Sequence, residues 1–211
     1  MNAHTQRFLI AGAAGQLDCA LDLPETTQWE TPRGFALIAH PHPLYGGTMD
    51  NKVTQTLARA FVALGYAAAR MNFRGVGRSE GMYDEGRGET DDMALLLRHM
   101  QQQYPHIPVA LAGFSFGTFV QAQLQQRLLA QQMPSERLVL VGCAAGKWPI
   151  PVVPANTLVI HGEQDDTIPL TQVLDWARPQ DLPIVVIPGA DHFFHRKLQH
   201  IKNLVVETWH R

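Results

Sequence analysis

Gly113-Phe114-Ser115-Phe116-Gly117 is the stretch from which the rest of the chain is read. Val109-Ala110-Leu111-Ala112 runs into it as a short apolar segment of strand length, and Thr118-Phe119-Val120 and a Gln- and Leu-rich tract leave it with helical character to about Gln132. A serine between two glycines at a strand-to-helix turn is held on a tight backbone where bulky neighbours would clash, which Gly113 and Gly117 avoid. The hydroxyl is lifted to the end of the sheet, beside the free N–H groups that open the next helix.

Outward from this turn, strands and helices alternate. Gly34–Ala39 is a continuous apolar run that stops at His40-Pro41-His42-Pro43, because proline cannot serve a central ladder. Asp50–Leu64 carries apolar residues at helical spacing and ends at Gly65. Tyr66–Phe73 is expected to be a strand and Thr90–Gln103 a helix, with Asp91 and Asp92 flanking its start. Strands follow at Arg137–Val141, Thr157–Ile160 and Ile184–Ile187, with helices at Leu170–Trp176 and Phe194–Trp209. At the front, Arg7–Ala14 and Gln16–Leu23 form a hairpin joined at Gly15. Leu17, Cys19, Leu21 and Leu23 face one way and Asp18 and Asp22 the other. Thr26–Arg33 reads as a loop. The expectation is an α/β fold with a mostly parallel sheet, an antiparallel N-terminal hairpin and helices on both faces. The Cys143–Asn156 connection is too short to hold a cap domain.

Bulk properties narrow the partners. The chain has 211 residues, the size of one domain from 1 to 211, and its net charge of −2 gives no electrostatic reason to expect nucleic acid or an anionic membrane. No apolar run has membrane-spanning length, and the first residues lack the basic start and long apolar core of a secretory signal. Cys19 and Cys143 sit far apart in apolar segments and read as reduced core thiols of a cytoplasmic protein.

A serine hydroxyl needs a base before it is a useful nucleophile, and ten histidines compete for that role. His192, in Pro188-Gly189-Ala190-Asp191-His192-Phe193-Phe194, follows the last strand and so falls at the same sheet edge as Ser115. Its rival His195 reads as a first-turn helix residue. The imidazolium needs a carboxylate. Past Ser115 the first strand end to offer one reads His161-Gly162-Glu163-Gln164-Asp165-Asp166-Thr167-Ile168-Pro169, which leaves Asp165 and Asp166 as candidates. One of them would otherwise be a helix N-cap before Pro169. The oxyanion formed on attack needs N–H donors, expected from Phe116 and from the loop after Gly34–Ala39. In that loop Pro41 and Pro43 have no N–H, which points to His42 ahead of Tyr45, Gly46 and Gly47. A metal at His40 and His42 lacks a third ligand at a matching spacing, and no cofactor motif is present: Arg74–Gly81 has neither a Gly-Lys-Ser/Thr ending nor a full GxGxxG. Trp148 either walls an acyl pocket or covers the core edge.

Together these residues resemble the α/β-hydrolase superfamily, over nearly the whole chain from Gly34 onward. His40-Pro41-His42-Pro43, Gly46-Gly47-Thr48-Met49 and Asn51-Lys52-Val53 look like the small lidless bacterial hydrolases near the dienelactone hydrolases. By that resemblance Asp165 is the acid and Asp166 its neighbour. Dienelactone hydrolases carry cysteine where this chain has Ser115, so the resemblance implies a small ester or thioester as substrate, cleaved through an acyl-enzyme, and does not extend to dienelactone. Amide or peptide cleavage uses the same machinery, and a non-catalytic small-ligand binder on a hydrolase scaffold is the competing class.

Overall fold

The apolar runs pair into one eight-stranded sheet in a computed structural model that describes residues 5–25 and 31–209. In chain order the elements are β1 (Gln6–Gly12), β2 (Gly15–Asp22), β3 (Gly34–Ala39), α1 (Lys52–Ala63), β4 (Tyr66–Met71), α2 (Arg87–Gln103), β5 (Val109–Phe114), α3 (Phe116–Ala130), β6 (Arg137–Val141), β7 (Leu158–Gly162), α4 (Leu170–Ala177), β8 (Ile184–Ile187) and α5 (Leu198–Thr208). The spatial order is β1-β2-β4-β3-β5-β6-β7-β8. Pairing is parallel from β4 through β8 and antiparallel for β1–β2 and β2–β4. Burial on both faces explains why the central strands read as unbroken apolar runs. Leu37, Leu111 and Leu138 pack against α2 and α3, while Ile38, Ala112 and Val139 pack against α1 and α5. Among the described residues no helix is long and apolar enough to cross a membrane, and none is inserted between β6 and β7.

Several boundaries move for identifiable reasons. The hairpin turns at Ala13-Ala14, and Gly15, at φ 121°, opens β2 instead of forming the joint. Helix α2 starts at Arg87, three residues ahead of Thr90, because Glu89 accepts the N–H groups of Asp84 and Gly86 at 2.9 and 2.8 Å. Asp92 therefore lies inside the helix, fully buried, and takes the Arg74 guanidinium through two hydrogen bonds of 2.5 and 3.0 Å. Exposed Asp91 binds Arg127. Helix α5 starts at Leu198, not Phe194, since Phe194 and Arg196 have positive φ and break the helical path. Strand β7 runs on through His161 and Gly162, and β4 ends at Met71. Of the Thr26–Arg33 loop, residues 26–30 lie outside those described. Asp18 and Asp22, on the polar side of β2, are buried and paired with Arg78 and Arg70, each at 2.8 Å. Cys19 and Cys143 are free and buried, and burial pushes both thiols up to about 12.

One side chain fastens the carboxyl ends of β3 and β4. His40 is fully buried; its Nδ1–H donates to the Pro41 carbonyl at 2.6 Å and its Nε2 accepts the Phe73 N–H at 2.8 Å. Both ring nitrogens are used by a neutral imidazole, and burial pushes the pKa down to about 3. In the unfolded chain the same ring titrates near 6.5. Between those values the unfolded state holds a proton that the native state refuses. The contribution to stability is complete above about pH 6.5 and is lost as the pH falls toward 3. From pH 7 to pH 5 the loss from His40 is on the order of 2 kcal/mol. Thermal or urea unfolding at the two pH values should show a smaller loss for His40→Asn than for the native chain; equal losses would refute a buried neutral His40.

Candidate active site

Ser115 sits between β5 and α3 with φ 53° and ψ −124°, a backbone conformation that costs a non-glycine residue about 1–3 kcal/mol. Two tight contacts hold it there. A Cβ on Gly113 would stand 2.3 Å from the Gly117 carbonyl oxygen, and one on Gly117 would stand 2.4 Å from the Ala39 carbonyl oxygen. The first contact is the turn itself; the second is the loop after β3 lying directly against the start of α3. The Ser115 N–H donates to Val141 O at 3.0 Å. Thr118 Oγ1 donates to Ser115 O at 2.6 Å and accepts the Ala144 N–H at 3.0 Å, tying the turn to the segment after β6.

The loop after β8 brings His192 to this serine. His192 Nε2 lies 3.0 Å from Ser115 Oγ, and Nδ1 lies 2.7 Å from Asp165 Oδ2. All three residues are buried. With Nδ1–H donating to the carboxylate, Nε2 is the lone-pair nitrogen and faces the hydroxyl. Asp165 is itself oriented: Oδ1 accepts the N–H groups of Thr167 and Ile168 at 3.0 and 2.7 Å. Asp166 is exposed and only 3.4 Å from Thr167 Oγ1, so of the two candidates Asp165 alone meets the histidine. His195 precedes α5 instead of lying in its first turn, and pairs with Asp191 at 2.6 Å on the surface. An arrangement of hydroxyl, imidazole and carboxylate in series can take up the serine proton as the oxygen attacks a carbonyl.

The loop after β3 supplies the opposite wall. His42 Nδ1 accepts the Leu44 N–H at 3.2 Å, capping a short turn over Pro43–Tyr45. Burial pushes its pKa down. The ring packs against Tyr45, Tyr83, Phe116 and Trp148 at centroid distances of 4.6 to 5.4 Å. Trp148 thus backs this loop. Phe116 is the first residue of α3, where a backbone N–H has no partner within the helix. Between the walls lies a groove of about 270 Å³ lined by residues that include His42, Tyr45, Asn51, Ser115, His192 and Phe193. A larger hollow of about 340 Å³ between β8 and α5 has no serine or cysteine among its described lining residues.

Sequence reasoning passed over the parts that set this geometry from behind: His40, Thr118 and His161. His161 Nε2–H donates to Ile168 O at 2.9 Å and so closes the loop that presents Asp165. A histidine at a strand end with no solvent to face was the available signal. Among the described residues no cluster of three or more His, Cys, Asp or Glu could hold a metal ion.

Comparison with known proteins places this site in context. The family model described as serine aminopeptidase, S33, matches residues 44–173, more than half of the chain. A lidless α/β serine hydrolase from Xanthomonas campestris superposes with a TM-score of 0.90 at 34% identity, covering 100% of this chain and 96% of that one. An α/β serine hydrolase homologue from Coxiella burnetii gives a TM-score of 0.82 at 36% identity over 96% of each chain. An uncharacterized protein of Rickettsia prowazekii is 33% identical over 191 residues, 81% of this chain and 76% of its own length. The chain belongs to the serine aminopeptidase S33 family of α/β serine hydrolases, and its fold is that of the lidless ones.

Proposed function

We propose that this protein is an esterase that cleaves small carboxylic esters or thioesters through an acyl-enzyme on Ser115. The observation that carries the reading is the 3.0 Å contact between Ser115 Oγ and His192 Nε2, with Asp165 at 2.7 Å on the other ring nitrogen. Ser115 Oγ attacks the carbonyl carbon while its proton passes to His192 Nε2. The N–H groups of Phe116 and His42 are the donors assigned to the oxygen that gains negative charge. Collapse of the tetrahedral intermediate breaks the bond to the alcohol or thiol, which leaves with the proton from His192. Water then gives its proton to His192, attacks the acyl carbon and releases the acid, and Ser115 recovers its proton.

An uncharged substrate suits the groove. An aminopeptidase must hold a protonated amino terminus, which calls for a carboxylate. Among the described residues the groove is lined by no Asp or Glu; Asp165 lies behind His192 and is already paired. Two buried free thiols suit a reducing compartment such as the cytoplasm.

A fluorophosphonate probe should label the native protein and p-nitrophenyl acetate should be turned over. Ser115→Ala should abolish both while the melting temperature stays close to native or rises, since alanine removes no fold contact other than the His192 hydrogen bond. A native protein that is neither labelled nor active would instead mark a binding protein. Asp165→Asn should lower kcat by roughly 10²–10⁴-fold by releasing the His192 tautomer, whereas Asp166→Asn should change it less than twofold. Gly117→Ala forces the loop after β3 away from α3. It should lower kcat by about tenfold or more, yet leave slow fluorophosphonate labelling, because Ser115 and His192 remain.

A further inference from the structure

Asn51 stands where the groove meets α1. Its Oδ1 accepts the N–H groups of Val53 at 2.9 Å and Thr54 at 3.4 Å. Both partners are donors, so the oxygen of this amide must face the helix. The NH2 group is turned the other way and has no acceptor among the described residues. Asn51 is half-buried and lines the same groove as Ser115 and His192.

The backbone beneath it is fixed. Met49 N–H donates to Asn72 Oδ1 at 2.9 Å, and Met49 O accepts Arg70 Nη1 at 2.7 Å. Arg70 is fully buried and anchored by Asp22 at 2.8 Å. A donor on so rigid a floor is already oriented before any ligand arrives. Most of the other polar side chains of the groove have partners, the exceptions among the described residues being the Tyr45 hydroxyl and the second ring nitrogen of His42. Ser115 and His192 hold each other, Thr167 leans on Asp166, and His42 Nδ1 takes the Leu44 N–H. Around them stand Pro41, Tyr45, Gly46, Gly47 and Phe193, with no Asp, Glu, Lys or Arg among the described lining residues. A pair of uncharged, unspent N–H donors in such surroundings favours an acceptor atom over a methylene at the same place, because the methylene would strand the donors.

We propose that Asn51 is a specificity-determining residue whose side-chain amide donates to an acceptor oxygen of the substrate. The site then takes esters that carry an ether, carbonyl or hydroxyl oxygen a few bonds from the scissile carbonyl. The assignment rests on the ester-hydrolase function proposed above.

The test compares isosteric pairs that differ by one oxygen for one methylene. One pair places it in the acyl part, p-nitrophenyl 3-methoxypropanoate against p-nitrophenyl pentanoate. The other places it in the alcohol part, 2-methoxyethyl butanoate against butyl butanoate. Asn51→Ser keeps an oxygen to cap α1 but removes the donors from the groove. It should lower kcat/KM for the oxygen-bearing member of one pair about 3- to 10-fold more than for its methylene partner. The pair that responds tells on which side of the scissile bond the acceptor sits. Asn51→Asp, which also retains the cap, should show at least the same bias and serves if the serine variant folds poorly. Unchanged ratios in both pairs, with fluorophosphonate labelling and melting temperature retained, would reduce Asn51 to a helix cap and overturn the assignment alone. A native protein without turnover of any of the four esters would overturn the ester-hydrolase function and this assignment with it.

Discussion

The contact on which the site depends is between two backbones. Gly117 lies against the Ala39 and His40 carbonyls so closely that a single Cβ would stand 2.4 Å from the nearer oxygen. Because β3 and β5 are neighbours in the sheet, paired from Phe35–Val109 to Ala39–Gly113, their two following loops leave the sheet side by side. Glycine at 117 lets those loops touch. The turn that carries Ser115 and the loop that carries His42 then form one rigid piece. Strain at Ser115, with its positive φ, is tolerable because packing on every side over-determines it.

Around that piece, the polar network divides into two kinds. Some groups line the groove, as Ser115, His192 and Asn51 do. Others are sealed in and act through backbone. His40 joins the ends of β3 and β4, His161 closes the turn that presents Asp165, and Arg70 with Asp22 supports Met49. Three of the buried groups, His40, His42 and His161, are histidines held below their ordinary pKa by burial. At His40 the neutral imidazole bridges a donor and an acceptor without asking the interior to hold a charge.

Much of this was legible before any coordinates. Apolar runs of strand length alternating with helical patterns defined the parallel sheet, and chain order alone put Ser115, His192 and an aspartate at one sheet edge. What stayed hidden depends on contacts made between distant segments. Asp18 and Asp22 read only as the face opposite the leucines, because alternation says nothing about an arginine from β4 or from the loop beyond it lying across that face. The start of α2 lies ahead of Thr90 because the N–H of Gly86 is satisfied by Glu89 from inside the helix, a contact that periodicity does not show. Asp165 and Asp166 are alike in sequence; they part only where Thr167 and Ile168 turn their N–H groups toward the first.

The short link between β6 and β7 has a kinetic meaning. Enzymes that fold a flap over their substrate wait for it to swing before product can leave. Here the Ser115 groove opens straight to solvent and nothing spans it among the described residues. With Ser115 as the proposed nucleophile, no described segment has to swing aside before a product leaves, and water enters by the same opening. Among the described residues, the surfaces that could sort one ligand from another are the walls of the groove itself.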